Sequence, residues 1–478
     1  MEQGDRQSLE ACLRPHGQLH LLRFWDELDA VSRAQLANQI AGIDFGQVAE
    51  LYRHTGVSQD WASLAGRAAP PPAVRLAERE TGKCQLPSGQ RISLAEVRRR
   101  GEQELAAGRV GVLIVAGGQG SRLGFDHPKG LFPIGPVSGA SLLEIHLQKA
   151  LATARRYGAA VPVYIMTSLA THDEQVAFLN EHDRFGLPEE DVYFFQQGTM
   201  PAVDAATGKL LLADRDSLFL SPDGHGGTVE ALAKGGALAH MKRRGIEHLF
   251  YLQVDNPLVP ICDPELIGHQ VLAESQLTSI AVAKQTPQDK VGNFATVDGH
   301  VNVIEYSDLP NDVAERRDAN GQLTLWAGSI AIHVFAVSLL ERALSSRGGL
   351  PFHIARKKVR HVDESGRRVD PSEANALKFE RFIFDLLPMA KNALVIEYAE
   401  REVFAPLKNA AGADRDTAEY VQRLMSEMHA SWLRAAGTSV AKDVLVEISP
   451  LWALDAAGVA ARSDRPASIQ KPTYLQER

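Results

Sequence analysis

Arg122, Lys129 and Asp255 are the residues of this 478-residue chain whose types and settings point most directly to chemistry. Arg122 and Lys129 follow a glycine-rich stretch, Ala116-Gly117-Gly118-Gln119-Gly120, and Lys129 stands within Pro128-Lys129-Gly130. Glycines can take φ > 0 and leave no Cβ in the way, so phosphate oxygens can reach backbone N–H groups. A guanidinium and an ammonium just beyond them add the positive charge that a triphosphate needs. Asp255 ends the apolar run Tyr251-Leu252-Gln253-Val254. A carboxylate there is costly unless it is paired or holds a metal. Mg2+ bridging it to triphosphate oxygens is one solution, and a cap on the following turn is the other. Lys408, in Phe404-Ala405-Pro406-Leu407-Lys408-Asn409, is a third candidate for phosphate, though alone it reads as a surface lysine.

Weaker candidates lie between these. Gln197 closes Phe194-Phe195-Gln196-Gln197-Gly198, and its amide has both the donor and the acceptor that match the imide edge of uracil. Taken alone it is as well explained as a polar strand cap. Ser221-Pro222-Asp223-Gly224-His225-Gly226-Gly227-Thr228 is a second glycine-rich loop before a helix, where free N–H groups suit anions and base edges. Glu305 could accept from sugar hydroxyls or be a solvated strand residue.

Two familiar phosphate motifs are excluded. A dinucleotide fingerprint needs a third glycine where Leu123 stands, and a P-loop needs Gly-Lys-Ser/Thr where Pro128-Lys129-Gly130 stands.

The elements that would position these residues follow from apolar periodicity. Val110 to Ala116 is continuously apolar or Gly, as in a strand buried on both faces of a parallel sheet. Residues 161–167, 192–195 and 249–254 read as further strands, and 171–180 and 229–243 as helices, the first opened by Thr171 as cap with Glu174 three residues on. This alternation predicts an α/β fold with a mainly parallel sheet, ligands binding beyond the carboxyl ends of its strands. After residue 275 the pattern turns β-rich and more antiparallel. Three segments are expected: a helical N-terminal region (1–100), a central domain (101–405) and a small C-terminal lobe (406–478). Ala69-Pro70-Pro71-Pro72 reads as a linker or stiff extended segment, and the polar tail from Ser463 as disordered.

Composition narrows the class. The chain is 45% hydrophobic and 23% charged, like a soluble globular protein, and its net charge of −8 argues against general nucleic-acid binding. Three scattered cysteines, an acidic N-terminus and no long apolar run suggest a cytoplasmic protein without membrane association, and a monomer is compatible with all of this.

The glycine stretch with Arg122 and Pro128-Lys129-Gly130 resembles the signature of sugar-nucleotide pyrophosphorylases. Phe194 to Gly198, Ile304-Glu305-Tyr306-Ser307, Lys378 to Asp385, Pro406 to Asn409 and Glu447 to Leu451 appear in an order similar to the eukaryotic-type UDP-sugar pyrophosphorylase (uridylyltransferase) family. The UDP-N-acetylglucosamine branch is the nearer one. The resemblance implies a Rossmann-like, GT-A-like nucleotidyltransferase sheet. It also implies a reaction in which UTP and a sugar 1-phosphate give a UDP-sugar and pyrophosphate by in-line attack. By the family pattern Ala116, Gly117 and Gly118 hold the nucleotide, Gln197 and Gly224 read uracil, and Arg122, Lys129 and Lys408 neutralise phosphate charge. Asp255 binds Mg2+, and Gly292, Glu305 and Phe384 line the sugar side. The nearer branch has Asn where His225 and Ser329 stand, both facing the sugar in the family, which leaves a UDP-glucose or broader specificity open. An inactive sugar-nucleotide-binding relative is the alternative from another class, although all four charged positions are present.

Overall fold

The structure is a computed structural model describing residues 5–54, 61–86, 88–346 and 349–477, so the N-terminal stretch before Asp5 lies outside it. The chain forms two compact units, interleaved along the sequence rather than consecutive as the three expected segments are. One comprises residues 1–60, 197–228 and 348–385, the other 61–196, 229–347 and 386–478.

The second unit is built on a ten-stranded sheet. Its strands are β1 (Ala73–Val74), β2 (Val110–Val115), β3 (Val163–Thr167), β4 (Val192–Gln196) and β5 (His248–Gln253), followed by β6 (Leu277–Ala283), β7 (Gly292–Val297), β8 (His300–Ile304), β9 (Ala327–Ala336) and β10 (Leu394–Tyr398). The order is β1-β10-β6-β9-β5-β2-β3-β4, with β7 bonded to β8 and β9. The β2 run Val-Gly-Val-Leu-Ile-Val is buried almost throughout and pairs in parallel with β5 and β3, as a two-sided apolar strand should. Only β9 runs against its neighbours β5 and β6 along the main path. Register sets the strand exits side by side: Gln253 lies opposite Val115, Val115 opposite Met166, and Thr167 opposite Gln196.

Helices cover the sheet where the apolar period is 3.6. Leu142–Tyr157 is capped by a reciprocal Ser141/Glu144 box and ended by Gly158 at φ 67°. Leu94–Ala106 and Pro264–Leu272 cross at Gly101 and Gly268, where an added Cβ would lie 1.8 Å from a backbone carbonyl of the other helix. The Ala69–Pro72 stretch is extended and pinned: Ala69 bridges to Thr296, and the Pro72 carbonyl accepts from Val395 N–H at 3.0 Å.

Three local expectations are corrected. The helix expected over 229–243 is two, Thr228–Lys234 and Ala237–Arg243, because Gly235-Gly236 interrupts it and Gly236 takes φ 77°. Thr171 precedes the helix His172–Glu181 without capping it, because its hydroxyl is engaged with Ser168, and Glu174 pairs with His127 instead. The tail expected to be disordered is ordered: Ser468–Ile469 and Thr473–Leu475 pair in parallel with Ser439–Val440 and Val446–Ile448. With Ala418–Ala435 these strands close a local apolar cluster around Leu433, Trp452 and Val459.

In the first unit, Ala30–Ala41 and Phe45–Arg53 are capped by Asp29 and Asp44, whose carboxylates accept from Ser32 and Gln47 N–H at 2.8 and 2.9 Å. Leu36, Ile40 and Val48 pack with Phe24, Trp25, Met200, Leu377 and Phe379, so the Phe24-Trp25 pair is core. A three-stranded sheet of Phe352–Lys357, Ala376–Arg381 and Val203–Asp204 backs them. Among the described residues no helix is long and apolar enough to cross a membrane.

Three imidazoles in the second unit are buried and held neutral. Burial pushes His146 and His429 down to about 3 and His269 to about 4. Below the unfolded value, about 6.5, the unfolded chain takes up these protons and the folded chain does not, so stability is lost as pH falls. At pH 5 each group removes about 2 kcal/mol. Thermal unfolding followed from pH 7 to 5 should show a steep drop in Tm, smaller in His146→Gln than in the parent.

Candidate functional site

The expected site residues fall into three groups, two in the larger unit and one in the smaller. In the larger unit, β2 delivers the chain into a closed loop. Gly118 carbonyl accepts from Lys129 N–H (2.9 Å), Gly120 N–H donates to the His127 carbonyl (2.8 Å), and Gln119 bridges Pro128. The glycine requirement differs from the expectation. Positive φ is used at Gly124 (70°), and the tight approach is at Gly120, where a Cβ would sit 2.7 Å from the Phe125 carbonyl oxygen. At Gly118 a Cβ would meet nothing within 4 Å, so the backbone there faces open space. Ala116 is fully buried, its N–H bonded to the Met166 carbonyl at 2.8 Å, while Arg122 is exposed and carries no ion pair among the described residues.

Lys129 and Asp255 meet. Lys129 Nζ lies 3.0 Å from Asp255 Oδ2, with the side chains 19% and 12% exposed. Asp255 at the strand end is thus paired, by a partner the sequence does not reveal. Its other carboxylate oxygen has no protein partner among the described residues. Its carbonyl accepts from Leu407 N–H at 2.8 Å, which places Lys408 beside it. Lys408 and Asn409 N–H both donate to the Asp416 carbonyl, and Lys408 Nζ sits 5.7 Å from the Phe404 ring. Burial raises the Asp416 carboxyl above its ordinary value, Lys408 and Arg415 pull it back, and Asp255 pushes it up again. Asp416 therefore belongs to this cluster, and no motif marks it. Among the described residues no group of three or more His, Cys, Asp or Glu could by itself cage a metal. One or two carboxylates completed by phosphate oxygens is the donor set that suits Mg2+, so these residues fit that ion.

Gly292, Glu305 and Ser329 also come together. Gly292 pairs with Ser329 across β7 and β9, and a Cβ on Gly292 would lie 3.3 Å from Glu305 Oε1. A bulge shapes this end of β9: Ala331 takes φ 56°, and the register with β6 shifts between Ser279 and Ala281. Lys284 is 8% exposed and donates to Asn293 Oδ1, the residue next to Gly292. Burial lowers its pKa, and Asp289 opposes that. Sequence reading missed this lysine because it lies in no recognisable pattern.

In the smaller unit, Gln197 Nε2 donates to the Gly224 carbonyl at 2.8 Å, so part of its donor capacity is used internally and its carbonyl oxygen stays available. Gly224 takes φ 83°, and a Cβ there would lie 2.3 Å from the Arg381 carbonyl. Asp223, missed by the sequence reading, is 6% exposed. Its carboxylate fills the space where Gly198 and Gly227 would carry side chains; the glycines at 224, 226 and 227 just after it were the available signal. His225 Nδ1 accepts from Ile383 N–H at 3.0 Å, which leaves Nε2 as the N–H donor. Burial, with His353 adding, lowers His225 to about 4, so it is neutral. Its ring stacks on Phe382 at 5.4 Å and tilts against Phe384 at 5.8 Å.

The profile of the family described as UTP–glucose-1-phosphate uridylyltransferase matches residues 80–461. The UDP-N-acetylhexosamine pyrophosphorylase-like protein 1 of Xenopus tropicalis is 36% identical over 435 residues, covering 88% of this chain and 83% of that protein. The UDP-N-acetylglucosamine pyrophosphorylase of Saccharomyces cerevisiae is 38% identical, covering 73% of this chain and 75% of its own length. The crystal structure of the Trypanosoma brucei uridine diphosphate N-acetylglucosamine pyrophosphorylase aligns with TM-score 0.82 at 25% identity, over 99% of this chain and 98% of that one.

Gly224→Ala places a side chain at positive φ and against a carbonyl, and should cost about 2 kcal/mol or more. Gly118→Ala, facing open space, should leave the unfolding free energy unchanged. Denaturant unfolding of both variants tests the contrast.

Proposed function

The chain belongs to the UTP–glucose-1-phosphate uridylyltransferase family, and on that premise we propose that it makes UDP-N-acetylglucosamine from UTP and N-acetylglucosamine 1-phosphate. It is a uridylyltransferase. The sugar-phosphate oxygen attacks the α-phosphorus of UTP, the bond to the β-phosphate breaks, and pyrophosphate leaves. No covalent enzyme intermediate is required, so catalysis rests on positioning and charge neutralisation. The observation that carries the reading is the cluster of Lys129, Asp255 and Lys408 beside an open glycine turn at adjoining strand exits.

In this reading Gly117 and Gly118 offer backbone to the nucleotide, and Arg122, Lys129 and Lys408 take up triphosphate charge. Asp255, with its second oxygen open, would hold Mg2+, which screens that charge and orients the phosphates. Gln197 and Gly224 read uracil. Gly292, Glu305, Ser329 and Phe384 serve the sugar, and His225 offers it an Nε2–H donor. An Asn amide is a donor of the same kind, so the exchange at 225 keeps one donor of the nearer branch. The three free cysteines support a cytoplasmic location.

Pyrophosphate release from UTP with N-acetylglucosamine, N-acetylgalactosamine, glucose and galactose 1-phosphates tests the proposal, with N-acetylglucosamine expected to be used best. Preference for glucose would transfer the assignment to the UDP-glucose branch. Arg122→Ala and Lys408→Ala should each lower kcat about 100-fold or more with little change in Tm. For the metal, Lys129→Met frees both Asp255 oxygens, so Mg2+ should raise the Tm of this variant more than that of the parent. An equal response would remove Asp255 as the metal ligand.

A further inference from the structure

The larger unit encloses a recess of about 610 Å³ that the uridylyl-transfer reading does not use. Its walls come from helices Leu142–Tyr157 and Ala418–Ala435, the loop from Pro257 to Asp263, and the short helix Ala456–Ala461. Ile145, Leu258, Met425, Met428 and Trp432 supply an apolar lining that suits a small-molecule body.

Lys149 stands in this recess. Its Nζ donates to the carbonyls of Pro257 (2.6 Å) and Val259 (2.9 Å), and among the described residues no carboxylate pairs with it. Arg98, Arg156, Asp263 and Glu447 of the lining are engaged, Asp263 accepting from the Tyr398 hydroxyl and from Glu265 N–H. Arg98 pairs with Glu265 at 3.1 Å and Arg156 with Asp455 at 2.6 Å. Glu447 accepts from Val137 N–H, Ser138 N–H and the Ser138 hydroxyl, while Glu102 and Glu402 are exposed. Burial without a countercharge pushes the Lys149 ammonium down to about 7. An ammonium has three donors, and two carbonyls take two of them. Among the described residues Lys149 lacks a third acceptor and a paired carboxylate, although five carboxylates (Glu102, Asp263, Glu402, Glu447 and Asp455) line the recess.

We propose that this recess binds a small amphipathic organic anion, its anionic head on Lys149 and its apolar body against Met425, Met428 and Trp432. Lys149 braces the loop that follows Asp255. The carbonyls that Lys149 holds lie two and four residues beyond Asp255, and His146, three residues before Lys149, donates to the Val254 carbonyl at 3.0 Å.

The test uses 8-anilino-1-naphthalenesulfonate, an apolar anion, titrated by fluorescence into the full chain with UTP and Mg2+ in excess to fill the nucleotide site. One saturable site is expected. Ala457→Trp puts a bulky ring on an exposed position of the recess wall, and should weaken binding at least tenfold while leaving probe-free pyrophosphate release unchanged. Lys149→Met should weaken binding about tenfold and, because that side chain also braces a loop, is read only alongside Ala457→Trp. No saturable binding, or less than a threefold change in Ala457→Trp, overturns the proposal. The fluorescence readout does not require turnover, so failure of the uridylyl-transfer reading would leave this test intact.

Discussion

The contact between Lys129 and Asp255 is the constraint on which the larger unit's site depends. It joins the exits of two strands, β2 and β5, that are already parallel neighbours in fixed register. The glycine loop brings Lys129 back by thirteen residues from Ala116, held by the Gly118 and Gly120 backbone bonds, so the ammonium reaches the carboxylate without a long free side chain paying rotamer entropy. Neither charge is fully desolvated, which keeps the pair separable. Phosphate and a divalent ion would offer each member a stronger partner of the same sign of charge as the one it leaves.

How much of this was legible in the sequence depends on the range of the interactions involved. The β2 strand and the glycine turn could be read because a continuous apolar run and its abrupt end are local signals. The helix Ala418–Ala435 is encoded just as locally, its apolar period and its Thr417 cap lying in one stretch. The ordered tail was not legible, because its strands find partners about 27 residues back and carry little apolar patterning of their own. The tautomer of His225 is set by the N–H of Ile383, 158 residues away, and no pattern near the histidine encodes it. Asp416 and Lys284 join their clusters through backbone geometry rather than motif. The glycines of the first loop were legible as glycines, but which of them bears the positive φ and which the close approach was not.

Both glycine-rich loops solve one problem in different ways. In the larger unit the loop is pinned by its own backbone bonds and leaves Gly118 facing open space. In the smaller unit the loop is pressed against the Arg381 strand end, and Gly224, Gly226 and Gly227 are each crowded enough that any side chain would collide. The first loop can tolerate added bulk at its tip. The second has exchanged that tolerance for fixed placement of the Gln197 amide and the His225 ring.

The interleaving of the smaller unit bears on how the chain is made. Its core needs Leu36 and Ile40 from the first 60 residues together with Leu377 and Phe379 from the third segment. On a ribosome adding about 5–20 residues per second, the amino-terminal helices wait tens of seconds before their last packing partners emerge. During that interval their apolar faces have no completed core, while the larger unit's first parallel strands are already being synthesised. Native closure of this unit is therefore a late, long-range event, and the amino-terminal segment is the part of the nascent chain most in need of protection by a chaperone.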